Sequence, residues 1–182
     1  MKFEPLSIPG VIRITPTVIS DQRGLFMETW RVAQFAQAGI EARFVQENQS
    51  ISRKATLRGL HYQIRQPQGK LVRVVVGEIF DVAVDVRRGS PTFGRWVAST
   101  LSADNRAMLW VPPGFAHGFL VLSETAEMIY KCTDYYAPEH ERGIRWDDPD
   151  LAIDWPLADG AAPLLSPKDQ LAKRYREAEV YE

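Results

Sequence analysis

The chain has 182 residues, 45% of them hydrophobic and 25% charged, with a formal net charge of −1. That is enough chain for one sizeable core, and it carries no positive field of the kind that nucleic acid or an anionic membrane demands. No apolar run approaches the ~20 residues of a membrane span, the opening MKFEPLSIPG lacks a signal-type apolar stretch, and Cys132 has no second cysteine to pair with, so the expectation is a cytoplasmic protein with one domain over residues 1–182.

Strand signals dominate in chain order. Short apolar runs lie at VIRITPTVI (11–19), GLFMETW (24–30), ARFVQENQS (42–50) and TLRGLHYQI (56–64). They continue through GKLVRVVVGEIFDVAVDV (69–86), GRWVAST (94–100), AMLWVP (107–112), HGFLVLS (117–123) and AEMIYKCTDYY (126–136). The breakers SDQRG, RQPQG, RRGSPTFG, SADNR and VPPG separate them. Many short strands with few helices predict a mainly β sandwich or barrel. Two helices are expected, one within 30–38 ending before Gly39, and one after Ser166 with Pro167 in its first position and Asp169 three residues past the cap. Residues 137–182 read as a tail packed on the β body, with a long structured loop from Ala137 to Leu165.

Alternation along a strand assigns faces. Phe26, Glu28 and Trp30 share one side, and so do Phe44, Gln46, Asn48 and Ser50. Met128, Tyr130 and Cys132 point together. Two neutral amides beside an aromatic suit either a polar pocket or an exposed outer face, and the pattern alone leaves both open.

The turn PPGFAH (112–117) is similar to the second motif of cupins, which delivers a histidine into a barrel. A metal-binding cupin also needs H-x-H and a nearby glutamate. Here the first-motif region reads His61-Tyr62-Gln63, with no glutamate until Glu78, and His140 lies in an APEHER loop. Two separated histidines are too few for a transition-metal centre, so the expectation is a cupin-like jelly roll without metal or cofactor.

The segments DQRGLFMETW, FVQENQS, LRGLHYQIRQPQGKLVRV, GEIFDVAVDVRRGSPTFGRW, WVPPGFAHGFLVLSETAEMIYKCTDYYAPEHERGIRWDDP and LSPKDQ span most of the chain. In order and spacing they resemble the dTDP-4-dehydrorhamnose 3,5-epimerases, metal-free cupin-fold enzymes of deoxysugar-nucleotide synthesis. The resemblance implies a catalytic base at His61, its carboxylate partner at Asp169, a proton donor at Tyr130 and a lysine for the keto oxygen at Lys70. It implies substrate contacts at Arg23, Phe26, Glu28, Gln46, Glu47, Asn48, Arg58, His117, Tyr136, Glu141 and Lys168. It further implies a homodimer, in which the N-terminal strands with Arg23, Phe26 and Glu28 complete the neighbouring pocket. Three positions depart from the usual pattern: Glu47 for aspartate, Gln49 for histidine, and Cys132 for threonine.

The chemistry of epimerisation beside a ketone suits these residue types. A neutral imidazole accepts the C–H proton, a carboxylate on its far nitrogen fixes the tautomer, and a tyrosine on the other face returns a proton. An ammonium near the enolate oxygen contributes on the order of 3 kcal/mol. Arginines hold a diphosphate bidentately, and Phe26 can stack on a thymine ring. Each residue also has a plainer local role: His61 as a satisfied interior histidine, Asp169 as the acid of a helix cap, Lys70 as an edge lysine, Arg23 as a turn residue. One conflict is internal. Arg58 and His61 are an odd number apart, so a regular strand sends them to opposite faces; either Gly59 sits in a bulge that re-aims one of them, or Arg58 serves another site.

Overall fold

The computed structural model describes residues 1–158 and 161–182. The N-terminal strands are β1 (Lys2–Pro5), β2 (Ile12–Thr15), β3 (Val18–Asp21) and β4 (Gly24–Met27). After the helix α1 (Val32–Gln37) come β5 (Gln46–Arg53), β6 (Leu57–Gln63), β7 (Lys70–Val76), β8 (Glu78–Asp85) and β9 (Trp96–Ser102). Then follow β10 (Met108–Val111), β11 (Phe115–Val121), β12 (Thr125–Cys132), β13 (Glu141–Gly143) and the one-turn helix α2 (Pro167–Gln170).

The long run 69–86 is two strands, because Gly77 takes a φ of +75° between them. A side chain there would meet the Thr125 carbonyl oxygen at 2.1 Å, so only glycine fits. The alternation pattern does not predict β1 or β13. β1 carries Pro5, and β13 is only three residues long, so neither shows a clear alternation.

Two antiparallel sheets make the body. One has the order β1-β2-β10-β7-β12-β5 and the other β13-β6-β11-β8-β9. Val72 and Val74 of the first and Ile79, Ala83, Phe119 and Val121 of the second share one buried cluster, which places the main core between the sheets. The outer face of the second sheet is not left wet. Leu57, Leu60, Val82, Val84 and Leu120 pack there against Ile144, Leu151, Trp155 and Val180 of the C-terminal segment. On the outer face of the first sheet, α1 sets Phe35 against Ile14, Leu71 and Met108. The architecture is the expected mainly β, cupin-like jelly roll with short helices.

Following each strand along its inward positions shows where the core gives way. On β7 they run Val74, Val72, Lys70, and on β12 Ala126, Met128, Tyr130, Cys132. On β11 they include Phe119 and His117, and on β8 Asp81 lies between Ile79 and Ala83. One end of the sandwich is therefore apolar and the other is lined with groups that do chemistry.

Candidate active site

The bulge settles how β6 presents its side chains. His61 pairs with His117 and Arg58 with Phe119, so three steps on β6 match two on β11. Leu57 and Leu60 face the outer cluster, while Arg58 and His61 both face inward. Gly59 takes a φ of +118°, and a Cβ there would lie 2.6 Å from Gly118 Cα and 2.7 Å from the His117 carbonyl oxygen. Two glycines face each other where the strand must bulge.

His61 Nε2–H donates to Asp169 Oδ1 at 2.5 Å across 108 residues of sequence. The donated proton leaves Nδ1 as the unprotonated ring nitrogen. Asp169 is 4% exposed, so its ionised form depends on partners. Burial works to raise its carboxyl, but the His61 hydrogen bond and charge and the Ser166 hydroxyl outweigh it and hold the group below the usual range. Asp169 is both cap acid and histidine partner, since its backbone N–H donates to Ser166 Oγ at 3.1 Å.

Across the gap, the first sheet supplies Lys70 and Tyr130. These two and His61 line two adjoining hollows of about 270 and 280 Å³. Burial pushes the Lys70 ammonium below its ordinary value and raises the Tyr130 phenol. A phenol shifted upward stays protonated and able to donate. The base candidate and the acid candidate thus project from opposing sheets.

The first hollow is closed by neutral and paired groups. Gln46 Nε2 donates to Asn48 Oδ1 at 3.0 Å, and the Tyr136 backbone N–H donates to Gln46 Oε1 at 2.8 Å. The Tyr136 hydroxyl donates to Glu141 Oε2 at 2.6 Å, which pushes that phenol up to about 12. Lys168 pairs with the same carboxylate oxygen. Burial favours a neutral Glu141, but hydrogen bonds from Lys168 and Tyr136 hold its carboxyl below the usual range. The second hollow adds Ser50, Arg58, His117, Met128 and Ser166. Arg58 is exposed on its side, with Nε donating to Ser52 Oγ at 3.2 Å.

Asp81 is a site residue that sequence reasoning missed. It is fully buried, and His117 Nε2–H reaches its two carboxylate oxygens at 2.9 and 3.0 Å. The available signal was a carboxylate in mid-strand within IFDVAVDV, at an inward position of an otherwise apolar run. Gln63 and Gln68 also line the first hollow and were not singled out.

Four expected contact residues do not line the hollows of this chain, and three of them are the N-terminal residues expected at a neighbouring pocket. Glu47 points out of the sandwich and pairs with Lys131 on the neighbouring strand, and Gln49 pairs with Glu127 on that same outer side. Alternation from Gln46 and Asn48 requires this, so Glu47 is corrected to an outer-face residue. Arg23 pairs with Asp21 and Glu28 with Arg31, both at the surface, and Phe26 is 69% exposed. None of these three lines either hollow of this chain. Among the described residues no three His, Cys, Asp or Glu side chains converge as a metal-binding group would require.

The family model for dTDP-4-dehydrorhamnose 3,5-epimerase matches residues 5–177. The chain belongs to that family. A dTDP-4-dehydrorhamnose 3,5-epimerase of Pseudomonas aeruginosa is 58% identical over 182 residues, covering 100% of this chain and 99% of the relative. Among solved structures, the dTDP-6-deoxy-D-glucose-3,5-epimerase of Legionella pneumophila, in complex with dTDP-4-keto-L-rhamnose, superposes with a TM-score of 0.94. It is 49% identical, and the match covers 100% of this chain and 98% of that one. A 3'-monoepimerase of Streptomyces bikiniensis in complex with dTDP-quinovose reaches 0.89 at 39% identity, over 95% of this chain and 87% of that one.

Proposed function

We propose that this protein is an isomerase converting dTDP-4-dehydro-6-deoxy-D-glucose to dTDP-4-dehydro-L-rhamnose by inversion at C3 and C5. The observation that carries the reading is His61 of one sheet, paired with Asp169 of α2, facing Tyr130 and Lys70 of the other sheet. His61 Nδ1 takes the proton from the carbon beside the ketone. Asp169 stabilises the imidazolium that forms. The Lys70 ammonium receives the enolate oxygen in an enclosed pocket, where such charge is worth most. Tyr130 returns a proton from the opposite side, so the carbon leaves with inverted configuration. The proton inventory closes with the two side chains exchanged against solvent, and no added cofactor enters the scheme.

Gln46 and Asn48 offer donors and acceptors to the nucleotide, and Arg58 offers a guanidinium to the diphosphate. Tyr136 and Glu141 line the same hollow as Gln46 and Asn48, and Lys168 pairs with Glu141. His117, held by Asp81, lines the wall beside Lys70. Residues 1–182 are taken as one epimerase domain, acting in the cytoplasm, where a lone thiol stays reduced.

The test is turnover of the 4-keto substrate in D2O followed by NMR. Deuterium incorporated at both C3 and C5 is expected. Label at a single carbon would move the assignment to a monoepimerase, an activity that the Streptomyces bikiniensis relative shows this fold can host. An unlabelled sugar would overturn both.

The surface N-terminal groups fit a second copy of the chain. β3 and β4 pair with each other in a sheet of their own and expose Ile19, Leu25 and Phe26. In the homodimer this hairpin brings Arg23, Phe26 and Glu28 to the neighbouring nucleotide pocket. Mixing an Arg23→Ala chain with a His61→Ala chain, each inactive alone, should then restore about a quarter of the sites to activity by random pairing. A mixture no more active than its components would place Arg23 outside the partner's pocket.

A further inference from the structure

The Ser166 side chain makes two hydrogen bonds to Asp169, the partner of His61, and nothing in the proposed chemistry uses it. A capping box ordinarily sends the N3 carboxylate back to the backbone N–H of the cap residue. Here Asp169, the N3 acid, does something else. Its backbone N–H donates to Ser166 Oγ at 3.1 Å, while Ser166 Oγ–H donates to Asp169 Oδ2 at 2.9 Å. The two bonds close a ring around one serine oxygen and fix the carboxylate's rotation. Oδ1 is then left to face His61 at 2.5 Å.

The backbone cannot hold this carboxylate by itself. α2 is a single turn of four residues, far below the length at which a helix is stable in isolation. It is suspended between two anchors on β6 and its neighbour. On one side Leu164 bonds to Ala55 and Leu57, and on the other Lys173 forms a bridge with Ile144. Those anchors place the chain, but neither touches the Asp169 side chain. The groups that face it are His61 from β6 and Ser166 from its own turn, with the Lys168 charge nearby.

We infer that Ser166 is a positioning residue of the epimerisation, setting through Asp169 the orientation of His61. The inference rests on the proposed reading of His61 as base. It differs from a capping role because capping uses the serine oxygen only as an acceptor, whereas positioning also uses its proton. Glycine is a good cap residue without a hydroxyl, and threonine keeps both functions.

The test compares Ser166→Gly and Ser166→Thr with the unaltered protein by steady-state kinetics and by proton NMR of the low-field imidazole N–H of His61. Loss of a hydrogen bond to a charged group that orients the base should lower kcat about ten-fold in Ser166→Gly, with KM changed less than two-fold. The His61 N–H signal should broaden in the same variant through exchange with water, while Ser166→Thr retains both rate and signal. A Ser166→Gly protein with unaltered kcat and an unaltered N–H signal would reduce Ser166 to a cap and overturn the inference. If the unaltered protein shows the protected N–H signal but no turnover of the sugar, the functional reading fails while the Ser166–Asp169–His61 geometry stands.

Discussion

Replacing His61 by alanine should lower kcat by roughly 10³-fold and abolish deuterium incorporation at both C3 and C5. The two carbons flank one ketone, and of the two histidines in the pocket that pair with an aspartate only His61 lines both hollows with Lys70 and Tyr130, so one base is expected to serve both inversions. Loss of exchange at only one carbon would show that a second group, with His117 the first candidate, removes the other proton. The substitution should spare the fold. His61 has a side chain 26% exposed, and its removal leaves no large apolar void. The penalty falls on Asp169, which loses the partner that helps keep it ionised while buried. A destabilisation of about 1–3 kcal/mol is expected, too small to unfold a domain of this size. Circular dichroism and a melting curve separate that loss from the kinetic one. Retained exchange in the variant would remove His61 from the base role.

The second large effect is structural. Gly59→Ala should destabilise the protein by about 3 kcal/mol or more, from a left-handed backbone that alanine resists together with contacts closer than any side chain tolerates. The atoms that a Cβ would strike, Gly118 Cα and the His117 carbonyl oxygen, are backbone of the paired strand and cannot swing away. For a chain of this length that loss corresponds to a fall in melting temperature of about 10 °C. Activity should drop further than stability, because separating β6 from β11 displaces Arg58 and His61 from the inward face together. A variant that melts normally and turns over normally would mean that β6 reaches this geometry without the glycine pair.

The plain surface roles that local sequence offered for the catalytic candidates divide in an instructive way. Arg23 is a solvated turn residue within its own chain, as its local setting suggested. Asp169 is a cap acid and the histidine's partner at once. Lys70 begins β7 next to Gly69, yet β7 is interior to its sheet, flanked by β10 and β12, so its ammonium is enclosed. An edge lysine and an interior lysine look alike in sequence, and only the strand order separates them. The strap over β6 is similar. The stretch from Ala137 to Leu165 reads as a structured loop packed on the β body, and it does carry β13, Ile144 and Trp155 onto the outer face of the second sheet, the particular face being set by the tertiary structure.

What could be read locally was set by alternation. A side chain's face depends only on its own strand's pleat, so Gln46, Asn48 and Ser50 group together, Tyr130 and Cys132 pair, and Glu47 falls on the opposite face. The odd spacing of Arg58 and His61 likewise left two readings, a bulge at Gly59 or a separate site for Arg58, and the register of β6 on β11 decides for the bulge. The amino-acid sequence by itself thus determined the mainly β class, the break points of most strands and the facing of the polar groups. Tertiary structure alone decided which sheet each strand joined, and so that His61 and Tyr130 confront each other from opposite sides. It also brought Asp169 to His61 and Asp81 to His117. These are contacts between residues far apart in the chain, fixed by strand order and by the path of the C-terminal segment, and no local periodicity encodes either.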